Sequence, residues 1–308
     1  MPDISVIICA YNAENTVAEA IESVLNQSMK NFELILINDG SNDSTLNIAN
    51  TYAQNDARLR VIDQKNCGLG LSRNHAIKES KGNFIAFLDA DDVWLKQKLE
   101  LQIRVMNENE SVDIVVTNTI AYDELEKGLP ELNYNSDYYP DFFDLIVTKN
   151  FFFQPVTSLI NRRLFDELAV FTDDHSGQDY YPFLVFALHN VRLFKLNCPL
   201  YGERSLPGSL QRSTRSRFIS AMARYKAVQA VLKDKENVGY LTKERVSLLK
   251  KASDRFLTWS ACGSRAYMNY VDALRFVASL YSSFYSKKYY VIELLKTTFF
   301  PLKQILFK

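Results

Sequence analysis

Residues 81–94 read KGNFIAFLDADDVW, and the fold follows from how that stretch ends. The apolar run from Phe84 to Leu88 has the length and composition of a strand buried on both faces. It stops at three acids, Asp89, Asp91 and Asp92. In open α/β sheets the ligand crevice lies beyond the carboxyl ends of the strands, so Asp89 and Asp91 are expected on its floor. Two carboxylates at i and i+2 with the small Ala90 between them can reach one hard cation. Mg²⁺ or Mn²⁺ commonly takes one or two carboxylates and fills its other positions with phosphate and water oxygens. The same residues also suit a polar turn in which Asp92 caps a helix beginning near Trp94. An Asp-x-Asp alone does not decide between the two.

The segments before it repeat the pattern of a strand followed by a helix. ISVIIC (residues 4–9) is a strand, followed by Ala10-Tyr11-Asn12 and a helix over about 13–27, with Val17, Ala20, Ile21, Val24 and Leu25 on one face. A second strand from Phe32 to Ile37 ends in the turn sequence Asn38-Asp39-Gly40-Ser41, and Ser44 is placed to cap a helix through Asn55. A short strand over 59–62 precedes Asn66-Cys67-Gly68-Leu69-Gly70, then a helix to about Ser80 with Gly82 as its stop. Strands alternating with helices at this spacing call for parallel pairing, so residues 1–120 read as a nucleotide-binding α/β half.

Beyond the acids the pattern predicts a helix over 95–109 and a strand over 114–117. Residues 118–153 lack a clear period and are rich in rings, among them Tyr138, Tyr139, Phe142 and Phe143, which suit either a core or a sugar-stacking wall. A strand over 156–161, a helix over 178–188 and a strand over 191–196 follow; Pro199 to Arg217 reads as a mobile loop. From Phe218 onward the chain reads as amphipathic helices near 217–234, 242–265, 269–286 and 289–307. The expected organisation is thus a body over 1–216, its second half spanning 121–216, and a helical region over 217–308.

The 308 residues are 47% hydrophobic and 23% charged, which excludes a disordered or fibrous chain. The formal charge is zero overall but unevenly spread: residues 1–216 carry 19 basic against 30 acidic side chains, net −11, and residues 217–308 carry 17 against 6, net +11. A basic tail of this kind favours an anionic surface such as lipid headgroups, or is simply a solvated helix face. The cysteines Cys9, Cys67, Cys198 and Cys262 follow no metal spacing and read as reduced core residues, which fits a cytoplasmic protein. No secretory signal is recognised at the start. The most apolar late segment, 289–307, is interrupted by Glu293, Lys296, Pro301 and Lys303, so no spanning helix is expected there.

Four strand ends now carry polar groups: Tyr11-Asn12, Asp39, Arg73 after the Gly68 turn, and Asp89 with Asp91. In a parallel sheet these ends share one edge. Asp39 suits hydrogen bonds from a base or ribose, Arg73 a phosphate, and Asp91 a metal bridging a diphosphate. Each also has an ordinary structural role open to it, an Asx turn for Asp39 and a surface ion pair for Arg73.

Together ISVIICAYNAENTVAEAIESVLNQS, FELILINDGSNDST, NCGLGLSRNHAIKESKGNFIAFLDADD and SGQDYYPFL resemble the family 2 glycosyltransferases of the GT-A fold, over residues 4 to about 205. The resemblance implies an α/β fold with a Rossmann-like, mostly parallel central sheet flanked by helices. It implies an inverting transfer of a sugar from a nucleotide donor, UDP-linked, to an acceptor hydroxyl. Donor-binding positions implied by the family are Ala10, Tyr11, Asn12, Glu14, Asp39, Arg73, Asp89 and Ala90; Asp91, with Asp89, would hold Mn²⁺ or Mg²⁺. Asp179, the acid of a pair that reads Gln178-Asp179 here, would be the general base. Displacing a diphosphate from an anomeric carbon needs these same two functions.

Relatives in the family also imply a glycan or lipid-linked glycan acceptor in surface polysaccharide synthesis, peripheral attachment to the inner face of the cell membrane, and no nucleic acid partner. Asn38 stands where an acid is common, and the loop GERSLPGSLQRS lacks the metal-binding histidine of some relatives. Arg204 or Arg212 is therefore expected to close over the diphosphate. Two other readings remain: a sugar-nucleotide pyrophosphorylase, which would carry a Gly-rich, basic phosphate loop where this chain has Ala10-Tyr11-Asn12-Ala13, and a non-catalytic binding module with the same fold.

Overall fold

The computed structural model describes residues 2–125, 135–148, 154–173, 179–205 and 214–267. The chain divides into two compact units. The first comprises Met1–Phe143, Phe152–His175 and Val185–Ser205, and the second Asp144–Phe151, Ser176–Leu184 and Leu206–Lys308.

The first unit is built on a sheet. Strand β1 (Ile4–Ala10) is followed by helix α1 (Val17–Leu25), β2 (Phe32–Asp39), α2 (Thr45–Asn55), β3 (Leu59–Gln64), α3 (Leu69–Glu79) and β4 (Phe84–Asp89). β1 pairs in parallel with both β2 and β4, and β2 with β3. The apolar runs of β1, β2 and β4 are buried along nearly their whole length, as strands covered on both faces must be. α1 buries Val17, Ala20, Ile21 and Val24, the face its period predicted.

After β4 come β5 (Val93–Trp94), α4 (Lys98–Glu108), β6 (Ile114–Ala121), α5 (Tyr122–Leu125), β7 (Ser136–Tyr139), α6 (Phe143–Val147), β8 (Ser158–Asn161), α7 (Arg163–Glu167), α8 (Tyr180–Leu188) and β9 (Leu193–Glu203). Among the described residues the sheet order is β3-β2-β1-β4-β8-β6-β9-β5, with β7 also on β9. The parallel set expected from the sequence is confined to β3-β2-β1-β4 and the β6–β9 pair. β8 runs antiparallel to β4 and β6, and β5 and β7 run antiparallel to β9, so the sheet is mixed.

Three local readings are corrected. Pro199 to Glu203 is strand rather than loop: β9 continues to Glu203 with Leu200 and Tyr201 buried, because β5 and β6 pair with it there, and Pro199 sits where the β6 register shifts. Gly82 does not stop α3. The helix ends at Glu79, where Ser80 is extended and its Oγ donates to the Ile77 carbonyl at 2.6 Å. Gly82 is required instead by close approach to β1, since a Cβ there would lie 2.5 Å from the Ser5 nitrogen. Asp92 does not cap a helix, because β5 intervenes and α4 starts only at Lys98.

The second unit, taken by itself, contains α9 (Thr214–Lys233), a 3₁₀ segment (Lys235–Tyr240) and α10 (Lys243–Tyr267). α9 and α10 pack on each other, with Val228 and Val231 of the one and Leu249, Ala252, Phe256 and Leu257 of the other buried. Gln229 Nε2 donates to Ser253 Oγ at 3.0 Å within that packing. Arg255 of α10 donates to the main-chain oxygens of Val147 and Thr148 at 2.5 and 2.8 Å. The helices expected over 269–286 and 289–307 lie outside the described residues, as does Arg212. No helix among the described residues is long and apolar enough to cross a membrane.

Candidate active site

Register alone brings the polar strand ends together. Cys9 of β1 lies beside Asp89 of β4, Ala10 beside Asn38 of β2, and Asp39 beside Gln64 of β3. Ala10, Asp39 and Asp89 therefore share the carboxyl edge of the parallel set, where a ligand is expected.

Asp39 is 4% exposed and closely ordered. Its Oδ1 accepts from Gln64 Nε2 at 2.8 Å and the Cys67 N–H at 2.9 Å, and its Oδ2 accepts from the Gly68 N–H at 2.9 Å. Burial pushes this carboxyl up, but the bonds from Gln64, Cys67, Ser72 and Gly68 outweigh it and hold the group below its ordinary value. His75 Nδ1 lies 2.6 Å from Gln64 Oε1, so the amide nitrogen is the end turned to Asp39. Gln64 and the Cys67 N–H converge on Oδ1, with the Cys67 thiol, exposed rather than the core residue expected, 3.5 Å away, and the Gly68 N–H holds Oδ2. Gly68, at φ +89°, supplies the backbone turn that aims two N–H groups at one carboxylate.

The loops that follow β1 and β2 are stapled together. Asn12, at φ +50°, accepts from the Asn42 N–H with its Oδ1 at 2.8 Å and donates its own N–H to Ser41 Oγ at 3.0 Å. The Ala13 N–H donates to Thr45 Oγ1 at 2.8 Å, the Glu14 N–H to Asp43 Oδ2 at 3.0 Å, and the Ser44 N–H to Glu14 Oε2 at 3.0 Å. Glu14 thus holds the loop; Ser44 occupies the N-cap position of α2 as expected, while the side chain that accepts from the first helical N–H, that of Thr45 at 3.0 Å, is Asp43 Oδ1. Tyr11 projects, 53% exposed. Asn38, the departure from the common acid, is buried and donates Nδ2 to Asp63 Oδ1 at 2.7 Å; an acid there would face a second acid.

Arg73 of α3 is placed against a carboxylate. Its Nη2 lies 3.0 Å from Asp89 Oδ1, and the guanidinium carbon lies 5.4 and 5.3 Å from the ring centroids of Phe87 and Phe171. Asn74 exchanges two hydrogen bonds with the main chain of Phe171, at 2.8 and 3.0 Å, which fixes that ring. Asp91 follows in the turn after β4, where burial first and the charge of Asp89 second push its carboxyl up. Burial likewise pushes Asp92 up to about 7; its oxygens accept from the Tyr201 hydroxyl and, at 2.7 Å, from the Arg204 N–H.

Arg204 reaches this turn too: its Nε donates to the Asp91 carbonyl at 2.9 Å. Two half-buried carboxylates in one turn, each repelling the other's charge, form a donor set that fits a hard divalent cation. Among the described residues no group of three or more acidic, Cys or His side chains could hold a metal. Asp179 opens α8 in the second unit, its carbonyl accepting from the Phe183 N–H at 3.5 Å. In that same unit the Asp179 charge acts on the Arg224 guanidinium, a neighbour that no local pattern could single out because 45 positions separate the two.

The sequence model described as glycosyl transferase family 2 matches residues 5–169, more than half of the chain. The chain belongs to glycosyl transferase family 2. Its family 2 relatives include the glycosyltransferase GlyA of Streptococcus pneumoniae, 27% identical over 259 residues, which cover 80% of this chain and 37% of GlyA. An uncharacterised glycosyltransferase of Rickettsia bellii is 42% identical over 133 residues, covering 43% of this chain and 19% of that protein. The chain thus spans well under half the length of these two relatives. Among solved structures, S. aureus TarS 1–349 superposes with a TM-score of 0.66 at 20% identity, over 96% of this chain and 81% of that one. The mannosyltransferase PcManGT of Pyrobaculum calidifontis, solved with GDP-Man and Mn²⁺, superposes with a TM-score of 0.59 at 17% identity, over 97% and 88%. The family 2 fold expected from the sequence, α/β with a central sheet flanked by helices, is the fold these structures share.

Proposed function

We propose that this chain is an inverting glycosyltransferase that moves a sugar from a UDP-linked donor to an acceptor hydroxyl with the help of Mn²⁺ or Mg²⁺. The observation that carries the reading is the convergence of Asp39 and Asp89 on one sheet edge, with Asp91 in the turn that follows, in a family 2 chain. An Asp39 held below its ordinary value, and so ionised, suits the ring N–H of uracil and disfavours adenine or cytosine, whose matching ring nitrogen is itself an acceptor. TarS has been solved with UDP-GlcNAc and with UDP, which supports the same donor class.

Asp89 and Asp91 would hold the metal, which when bound neutralises charge developing on the departing diphosphate. Asp39 orients the base, and the exposed Tyr11, in the loop after β1, covers the base face. Asp179 takes the proton of the acceptor hydroxyl, and one carboxylate acting on the face opposite the leaving group makes the displacement direct, so the configuration inverts. The net +11 of residues 217–308 supports a lipid-linked glycan acceptor met at an anionic membrane surface, in surface polysaccharide synthesis. Calorimetric titration of UDP with and without Mn²⁺ tests the donor and the metal together. Metal-dependent binding that disappears in Asp91→Ala is the expected result; absence of UDP binding with Mn²⁺ present removes the UDP assignment.

A further inference from the structure

Arg204 stands just beyond β9 and reaches three other parts of the first unit. Its Nη2 lies 2.5 Å from Glu19 Oε2 on α1, its guanidinium carbon is 3.7 Å from the ring centroid of Tyr122 on α5, and its Nε donates to the Asp91 carbonyl at 2.9 Å. Tyr122 closes the arrangement by donating its hydroxyl to the other Glu19 oxygen. The Arg204 N–H and the Tyr201 hydroxyl hold one Asp92 oxygen each. The ladder adds to this: Val93 and Trp94 of β5 pair with Gly202 and Tyr201, and Gly202 admits Leu125 and Val93 where a Cβ would lie 2.5 and 2.9 Å from their side chains. The turn that carries the paired acids is therefore tied to Tyr201 of β9 and to Arg204 directly, and through Arg204 to α1 and α5.

A guanidinium with its Nε, one Nη and a ring-stacked face already engaged is built to hold protein rather than to sweep over a phosphate. We propose that Arg204 is a positioning residue: with Glu19 and Tyr122 it fixes the main chain at Asp91 so that Asp89 and Asp91 face one cation. This rests on the donor and metal reading above. The anchor matters because two like charges in a half-buried turn move apart when the backbone permits, and a cation needs both on one side. Residues that orient ligands without touching the metal typically change its affinity by about 10 to 100-fold.

The test measures UDP affinity by calorimetry in saturating Mn²⁺ and in EDTA, for the wild type, Arg204→Ala, Arg204→Lys and Tyr122→Phe, with thermal midpoints recorded for each. Arg204→Ala is expected to lose about tenfold or more in the Mn²⁺-dependent affinity while the affinity in EDTA, which rests on Asp39, is unchanged. Tyr122→Phe, which keeps the ring and loses only the bond to Glu19, is expected to fall between the wild type and Arg204→Ala. Arg204→Lys keeps the charge without the stack and covers the case in which the alanine variant does not fold; it too should weaken only the metal-dependent component. Unchanged Mn²⁺-dependent affinity in folded Arg204 variants overturns the proposal. Equal losses with and without metal also overturn it, because they mark direct contact with the donor. A wild type with no Mn²⁺-dependent UDP binding overturns the donor reading itself, a different result from either of these.

Discussion

Arg73 Nη2 and Asp89 Oδ1 are 3.0 Å apart, and the two partners differ in exposure: the arginine side chain is 4% exposed and the aspartate 37%. The carboxylate can face a ligand while the guanidinium behind it stays out of water between Phe87 and Phe171. Removing the carboxylate leaves a buried cation without this partner. Asp89→Ala is therefore expected to lower stability by about 2 kcal/mol, below the loss for a fully buried pair because Asp89 is partly solvated. Asp91→Ala removes a charge that burial and Asp89 both oppose, and should leave stability unchanged or raised. Urea midpoints of the two variants check this contrast, and equal destabilisation would refute it.

Asp39→Asn keeps the shape but turns an amide toward donors that now meet a carboxylate. UDP affinity should fall about 10 to 100-fold in Mn²⁺ and in EDTA alike, the loss of one to two charge-assisted hydrogen bonds. Because the folded carboxyl titrates below its ordinary value, Asp39 adds stability that is present above the ordinary carboxylate range and lost as pH falls through the lowered folded value. Acid unfolding of Asp39→Asn should accordingly begin from a lower stability at neutral pH and show a shallower loss toward pH 3.

Asp179→Asn tests the base separately from the donor. Turnover should drop by roughly 10² to 10⁴ with UDP affinity unaltered. Loss of UDP binding in this variant would move Asp179 from acceptor chemistry to donor binding.

Lys98 is fully buried, with Nζ 2.8 Å from Gln102 Oε1 and 4.2 Å from the Trp94 ring centroid. Burial lowers its titration to about 7, so the folded protein holds fewer protons than the unfolded chain from there up to the ordinary lysine value. Stability should rise with pH across that window, and Lys98→Met should flatten the slope. A slope that persists in the variant would assign it to other groups.

Residues 287–308 carry Phe299, Phe300, Leu302, Ile305 and Phe307 beside Lys296, Lys303 and Lys308. Deleting them should reduce co-sedimentation with liposomes rich in anionic lipid and leave sedimentation with neutral liposomes unaffected. Equal sedimentation of the full and shortened chains would remove the segment from membrane attachment.

The sequence carried the parallel half of the fold plainly, because β1, β2 and β4 are continuous apolar runs and the turns between them contain their own stop signals. It missed what depends on distant partners. Pro199, Gly202 and Arg204 look like a loop by composition, yet β5 and β6 supply the ladder that makes most of that stretch strand. Arg73 reads locally as a phosphate ligand near a helix start. Its burial depends on Phe171, held by Asn74 from 97 residues away, and no spacing rule reaches that far. Glu19 and Tyr122 escaped for the same reason, being ordinary exposed-face residues of their own helices until Arg204 joins them.

The two loops joined by Asn12, Ser41, Asp43, Glu14 and Thr45 have a thermodynamic consequence. Segments that must order around a ligand subtract their conformational entropy from its affinity, commonly about 0.5–1.5 kcal/mol for each immobilised side chain. Here these bonds already fix the main chain of both loops. For the donor site proposed at Asp39 this means a surface whose freedom was lost during folding, so a nucleotide's contacts there would translate into affinity with little deduction.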